Sequence, residues 1–472
     1  MKKVSFIFSV ILCCVCSVCS VSVLFAQQNA RGGIDEALLR ELRSSANLDA
    51  PERALQNIVI ANGMSFNNAV RSQQPDDVFT YRVPQTGITD QKQSGRCWLF
   101  TGLNILRAEA VTKHNLATPF FFSQCYSFFY DQLEKSNLFL QAVIDTRSLP
   151  MSDQTVDWLF KHPIQDGGQF TGVSDNLMKY GVVPAEVMPE TVASNRTAQL
   201  SSLLATILRQ GGIRIREAAG KGASEQKLLA DKKELLKAVY KLLVINLGEP
   251  PLSFQYTLKS ADGKVISSKN YTPQSFYNEL IGRELRKEYV MIMNDPSKEF
   301  HKLYQIRYDR HLYDGADWTY LNLPMDELKA MAIASLKDSC MIYYSCDVGK
   351  QLDRKTGILS LDNFDYSSLA GINLNMDKRE RILTGASAST HAMTLVAVKL
   401  NEQGKPTKWM VENSWGADAG YKGHLIMTDE WFDEYTFRIV LEKRFLTPEA
   451  RALTGMKPIL LPPWDPMFAA EK

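Results

Sequence analysis

The sequence predicts an α+β fold in which helix-forming and strand-forming stretches are largely segregated along the chain. Over 97–114 and most of 196–335, apolar side chains recur at three- and four-residue steps, the period of a helix with one buried face. From residue 340 the pattern turns to short runs rich in β-branched and aromatic residues: "CMIYYSCDV", "HAMTLVAVKL", "KWMVENSWG", "HLIMTD" and "FRIVLEK". Composition supports a large core. The 472 residues are 45% hydrophobic and 22% charged, without the bias of disordered or coiled-coil chains. Such a length holds about two to four domains, or one elaborated domain, and needs no disulfide staples.

The elements follow in order. Residues 34–46, "IDEALLRELRSSA", carry helical spacing and form an N-terminal arm over 27–59. Loop and strand signals lead to "YRVPQTGITDQ". A helix is expected from Cys97 through "CWLFTGLNILRAEAVTKH", with Trp98, Leu103, Leu106 and Ala110 on its apolar steps. Residues 115–195 are aromatic-rich and broken by Pro and Gly, as short helices and loops would be. Over 196–335 a mainly helical insertion is expected. Its two strong amphipathic helices are "TAQLSSLLATILRQ" and "SEQKLLADKKELLKAVYKLLVINL", joined by the Gly-rich, basic "GGIRIREAAGKGA". Further helices are expected at "PQSFYNELIGREL" and "PMDELKAMAIASLKD", with strand at "PLSFQYTLKS". Residues 336–450 form the β region. The prolines of "KPILLPPWDPMFAAEK" make 451–472 an extended C-terminal arm. No repeat or low-complexity segment interrupts this order.

The N-terminus reads as an export signal. Lys2 and Lys3 precede an uncharged apolar run from Val4 to Phe25, and Ala26 is the small residue at its end. About 20 apolar residues can span a bilayer, but the Ser and Cys content makes this run a poor permanent anchor. Cleavage after Ala26 is therefore expected, removing residues 1–26 and leaving no stable membrane span. The destination is the periplasm or the exterior, rather than a lipid-anchored or cytoplasmic location. Cys13, Cys14, Cys16 and Cys19 fall inside the run. Cys16-x-x-Cys19 matches a metal or redox spacing only by position, and Ser17-Val18 is an imperfect lead-in for lipidation of Cys19. Cys97, Cys125, Cys340 and Cys346 remain. Cys340 and Cys346 lie on one expected strand, which separates them by about 20 Å, beyond disulfide reach. With 54 basic and 52 acidic residues, the net charge of +2 gives no ground for a nucleic-acid or anionic-membrane partner.

The candidate chemistry begins in "TDQKQSGRCWLF". A lone cysteine is more often a packed thiol than a nucleophile. Cys97, however, opens a helix, where unpaired N–H groups and the macrodipole favour a thiolate. A thiolate nucleophile needs an imidazole. Of six histidines, His114, His162, His301, His311 and His424 read as solvated or satisfied side chains. His391 opens the apolar run "HAMTLVAV" after the flexible "TGASAST", a place from which a ring can face a cleft. Alone it is equally compatible with a structural histidine. Asn413 in "VENSWG" offers an amide oxygen to fix the ring. Trp415 can cover that bond. The Cys97 N–H and the side chain of Gln91 are candidate oxyanion donors, with Gln93 as an ordinary loop glutamine beside it.

"QKQSGRCWLF", "STHAMTLVAV" and "WMVENSWG" together resemble the papain-like cysteine peptidases, and within them the bleomycin hydrolase branch, the bacterial aminopeptidase C type. The similarity extends from about residue 60 to the C-terminus and includes "SCDVGK", "YKGHLIMTDEWFDEY" and "LPPWDPM". It implies a two-lobed papain-like fold. A helical lobe would span 60–195, and a β-barrel-like lobe carrying the histidine and asparagine would span 336–450. It places the nucleophile on Cys97, the base on His391, the orienting amide on Asn413, the oxyanion glutamine on Gln91 and the shielding ring on Trp415. Ser94 and Arg96 depart from the papain C-G-[SA]-C-[WY] pattern, which removes a disulfide partner. The spacing of 294 residues (391 − 97) is about twice the roughly 130–150 of papain, and the 196–335 region supplies most of the excess.

The resemblance further implies an aminopeptidase acting on short peptides with a free N-terminus. No metal or cofactor would be needed, and the assembly would be a homohexamer. In that branch the C-terminal arm lies in the cleft, so the carboxylate of Lys472 is the candidate ligand of the substrate amine. The rival readings are an endopeptidase, if the arm leaves the cleft open, and a non-catalytic peptide- or nucleic-acid-binding assembly.

Overall fold

The computed structural model describes residues 32–64, 74–84 and 86–468. The chain divides into two compact units, Met1–Asn68 and Ala69–Lys472. The expected signal over 1–26 and the residue Lys472 lie outside the described residues.

The first unit holds helices α1 (Glu36–Ser45) and α2 (Ala50–Asn62). Asp35 caps α1 by accepting from the Leu38 N–H at 2.8 Å. Asp49 and Glu52 form a reciprocal capping box on α2, with Pro51 in its first turn. Neither helix has a buried residue.

The second unit begins with β1 (Tyr81–Arg82) and α3 (Cys97–His114), whose bounds are those its apolar spacing predicts. Helices α4 (Gln124–Asp145), α5 (Phe170–Tyr180), α6 (Ala198–Gly220) and α7 (Glu225–Leu247) follow. Helix α6 runs straight through "GGIRIREAAG", which composition marks as a connection. The physical reason is close packing. A Cβ on Gly211 would meet both Leu235 methyls of α7, and one on Gly212 would press on Phe160 and Phe139 at 3.1–3.2 Å. The two glycines cost helix propensity and allow α4, α6 and α7 to approach one another.

The rest of 196–335 is not only helical. It contains the hairpin β2 (Phe254–Lys259) and β3 (Val265–Tyr271), then β4 (Tyr289–Met293), β5 (Lys302–Ile306), β6 (Thr319–Asn322) and α8 (Met325–Lys337). β4, β5 and β6 join the main sheet. Their short runs, such as "YVMIM", are too brief for periodicity to separate strand from helix.

The remaining strands are β7 (Ile342–Cys346), β8 (Leu352–Asp353), β9 (Ile358–Leu359), β10 (His391–Leu400), β11 (Pro406–Glu412), β12 (His424–Thr428), β13 (Thr436–Glu442) and β14 (Ile459–Leu461). The short helix α9 (Lys378–Leu383) precedes β10. The sheet runs β14-β5-β6-β4-β13-β7-β10-β11-β12-β9-β8, with β1 pairing β10. β10 lies between β7 and β11, and its first eight residues are all buried, as a strand covered on both faces requires. Helix α3 packs on β10 and β7. One apolar core joins these layers, from Trp98 and Leu103 of α3 to Leu395 and Ala397 of β10. Among the described residues, Cys97, Cys125, Cys340 and Cys346 form no disulfide.

Candidate active site

Cys97 is the first residue of α3 and is buried. The turn before it is held from three directions. Gly95 donates its N–H to Asp166 Oδ2 at 2.7 Å, and the Trp98 indole donates to Asp166 O at 2.8 Å. Arg96, wholly buried, places its guanidinium on both carboxylate oxygens of Glu190 at 3.1 and 2.8 Å and donates from Nε to Ser94 Oγ at 3.1 Å. Arg96 also lies over the Phe100 and Phe128 rings. The residue that departs from the papain pattern thus occupies a built ionic site. The first turn of α3 contains no acidic residue to oppose an anion at Cys97.

β10 brings the histidine to this end of α3. His391 pairs in register with Cys346 of β7, and Cys97 lies close enough to Cys346 to add to the upward push that burial gives the Cys346 thiol. The His391 ring is buried, and its Nε2 shares a hydrogen bond of 2.9 Å with Asn413 Oδ1. Asn413 follows β11, next to β10. Trp415 stacks on the imidazole, with ring centroids 4.9 Å apart and planes 28° apart. The His391 imidazole is pushed down to about 4, chiefly by burial, with the Asn413 bond opposing the shift and the Arg354 charge adding to it.

Gln91 reaches the same place along a two-stranded contact. Asp90 bridges Trp415, the Gln91 N–H donates to Ser414 O at 2.8 Å, and the Gly416 N–H donates to Thr89 O at 3.1 Å. The side-chain amide of Gln91 is buried. Its oxygen accepts from Ser414 Oγ at 2.6 Å, and its Nε2 donates to Ser94 O at 2.6 Å. An amide NH₂ carries two hydrogens, so one remains for a further acceptor. Gln93, two residues on, is exposed and bonds the Asn195 carbonyl through its backbone. That separates the two glutamines, which sequence alone does not.

Ser414 ties the groups together. It supports Gln91 through its hydroxyl and its carbonyl, and its N–H donates to Asn413 Oδ1 at 2.8 Å. Its neighbours Asn413 and Trp415 mark it in the sequence, but a serine between them carries no signal of its own. Arg96 with Glu190, 94 residues apart, is likewise invisible without coordinates. Residues 91, 97, 391, 413 and 415 therefore gather where α3 meets β10 and the loop after β11. Lys472 lies outside the described residues.

Four of the other histidines have ordinary partners, whereas the half-buried His114 has its Nε2 buried without a hydrogen-bond partner among the described residues, against the expectation of a solvated or satisfied side chain. His311 Nδ1 meets Asp131 at 2.5 Å beneath the edge of Trp98, and His301 meets Glu327 at 2.8 Å. His162 and His424 bond backbone carbonyls.

The C-terminal arm comes to the same end of the molecule. β14 pairs in parallel with β5, Asp465 Oδ1 accepts from Lys298 at 3.1 Å, and Met467 is buried. Pro466–Phe468 form a 3₁₀ turn, so the prolines exclude α-helix without leaving the arm fully extended. Pro463 and Met467 line a cavity of about 140 Å³ with Gly168, His311 and Ser389. Gly168 abuts Trp98, the residue after Cys97, and Ser389 precedes His391 by two residues, although Cys97 and His391 do not themselves line the cavity.

The profile of the Peptidase C1-like family matches residues 33–468. The chain belongs to this family. Among C1-like relatives, Aminopeptidase C of Streptococcus thermophilus is 37% identical over 418 residues, covering 88% of this chain and 94% of its own. Bleomycin hydrolase of Homo sapiens is 38% identical over 407 residues, covering 84% of this chain and 89% of its own. The crystal structure of PepW from Lactobacillus rhamnosis superposes with a TM-score of 0.87 at 34% identity, covering 93% of this chain and 99% of that one. The papain-like α+β fold expected from the three motifs is thereby established.

Proposed function

We propose that this chain is a cysteine-type aminopeptidase that releases N-terminal residues from short peptides through an acyl-enzyme on Cys97. The observation that carries the reading is the buried His391–Asn413 bond under Trp415, at the strand mouth where α3 presents Cys97. The names of the relatives, Aminopeptidase C and bleomycin hydrolase, support the same class.

In this mechanism Asn413 holds Nε2, so Nδ1 is the ring nitrogen left for sulfur. The Cys97 thiolate adds to the scissile carbonyl, forming a C–S bond. The oxyanion takes the Cys97 N–H and the second hydrogen of Gln91 Nε2. The intermediate collapses, the C–N bond breaks, and His391 gives its proton to the leaving amine. Water then attacks the thioester with His391 as base, regenerating the thiol and releasing the acid. Nothing in the step calls for a metal or a cofactor.

Restriction to free N-termini comes from the arm. Its anchored residues Pro463 and Met467 line a cavity with Gly168 and Ser389, which lie near the centre's elements in contact or in sequence, and four residues follow Phe468 to Lys472. A carboxylate about 4 Å from an ammonium gains about 4 kcal/mol of Coulomb energy at an effective dielectric of 20, before desolvation. That favours an aminopeptidase over an endopeptidase. Deleting Ala469–Lys472 should raise cleavage of N-acetylated peptides relative to free ones; an unchanged ratio rejects the arm's role.

Export with cleavage after Ala26, and a homohexameric assembly, are part of the same proposal. Among the described residues, no helix is long and apolar enough to cross a membrane. Intact-mass measurement should find Gln27 at the N-terminus of exported protein, and light scattering should give six times the chain mass.

A further inference from the structure

Cleavage of a peptide bond leaves two fragments, and the fold provides for the second as well as the first. In the mechanism above, His391 delivers its proton to the leaving nitrogen. The departing peptide therefore passes the imidazole and the ring that covers it. That ring is Trp415, and the guanidinium of Arg354 lies over it, 5.4 Å from the ring centroid.

Arg354 occupies the turn between β8 and β9. The turn is held in place: Asp353 Oδ1 accepts from the Lys355 N–H at 3.0 Å, and Asp353 Oδ2 accepts from Thr356 Oγ1 at 2.8 Å. β8 pairs with β9, and β9 pairs in parallel with β12. The side chain is exposed, and among the described residues it has no carboxylate or hydrogen-bond partner. Its charge nevertheless reaches the catalytic histidine, pushing the His391 imidazole down. The buried Arg96 and Arg107, by contrast, are each matched to a carboxylate. Arg354 is a fixed cation beside the exit of the leaving group, with its planar fork open to solvent.

We propose that Arg354 is a specificity-determining residue that binds a carboxylate on the leaving fragment. A guanidinium matches a carboxylate in a bidentate pair, and stacking on an indole orients the fork without consuming its N–H donors. The carboxylate has two sources of the same chemistry: the C-terminus of a dipeptide, or an acidic side chain just after the scissile bond. The proposal rests on the aminopeptidase reading and names the substrates that the site prefers.

The test uses the full-length enzyme and its Arg354→Gln and Arg354→Lys variants on four substrates. These are alanyl-alanine, alanyl-alanine amide, alanyl-glutamate amide and an alanyl arylamide reporter. In Arg354→Gln, kcat/KM for carboxylate-bearing substrates should fall about three- to tenfold, mostly through KM, as expected for a partly exposed charge pair. The amide and the reporter should change together and by less, because any effect through His391 is common to all four. Selective loss on alanyl-alanine assigns the C-terminal carboxylate; selective loss on alanyl-glutamate amide assigns the side chain. Arg354→Lys should restore part of the preference. An equal change on all four substrates, or none, overturns the proposal while the reporter still shows an aminopeptidase. A wild type that fails to cleave the reporter sinks the underlying reading instead.

Discussion

Asn413→Ala isolates the orientation of the histidine from the chemistry of the cysteine. Asn413 Oδ1 accepts from the Ser414 N–H at 2.8 Å and bonds His391 Nε2 at 2.9 Å, both in buried surroundings. The variant leaves a buried ring N–H without its acceptor. Such a loss costs about 1–3 kcal/mol. If the whole cost is felt where the imidazolium forms, kcat should fall between about 5-fold and 150-fold, since 1.36 kcal/mol is a factor of ten. The Asn413 bond also raises the basicity of His391, so its removal makes the ring a weaker base. Both effects have the same sign. The assay is kcat and KM on an alanyl arylamide, with the rate of Cys97 alkylation by iodoacetamide followed across pH. KM should move little, and the pH at which alkylation rises should shift. A variant that keeps kcat within twofold and an unchanged alkylation profile would show that Asn413 does not orient the base.

Further expectations concern the surrounding groups. Gln91→Ala should lower kcat by about 10²–10³ as an oxyanion donor is lost. Affinity for a peptide aldehyde should weaken in parallel, while iodoacetamide alkylation stays unchanged; loss of both would point to a general structural role. Arg96→Ala strands Glu190 and empties a buried site, so thermal unfolding should show destabilisation of about 2–3 kcal/mol. An unchanged Tm would contradict the ionic role of that site. The His391 imidazole is held near 4 in the folded chain against an unfolded value of 6.5. Its contribution to stability is therefore complete above about pH 6.5 and is lost as pH falls towards 4, by at most about 3 kcal/mol. The stability difference between wild type and His391→Phe should change across that window when denaturant midpoints are compared, and a constant difference would remove the argument.

The candidate centre is more legible in the sequence than the residues around it. Cys97, His391 and Asn413 announce themselves because each sits at the edge of an element whose period is strong: a long helix, a continuous apolar strand and the end of the next strand. The bounds of α3 follow for the same reason. The glycines of "GGIRIREAAG" mislead because composition counts them as breakers, whereas close packing against Leu235, Phe139 and Phe160 keeps them helical. β4, β5 and β6 escape because strands of four or five residues carry too little pattern, and the neighbours that make them strands are distant in sequence. Gln91 is distinguished from Gln93 only by the Ser414 contact, and Arg96 is explained only by Glu190. Arg354 shows no motif, and its meaning comes from the ring beneath it. Long-range polar pairs of this kind have no local signature.

The central claim is that Cys97 supplies the nucleophile and His391 activates it. Acid quenching of the enzyme during turnover of an activated aminoacyl ester, followed by peptide mapping, tests it directly. The acyl mass should appear as a thioester on Cys97 and nowhere else, should be absent in Cys97→Ala, and should form far more slowly in His391→Ala. Acylation of Cys125, Cys340 or Cys346 instead, or turnover that survives Cys97→Ala, would contradict the account.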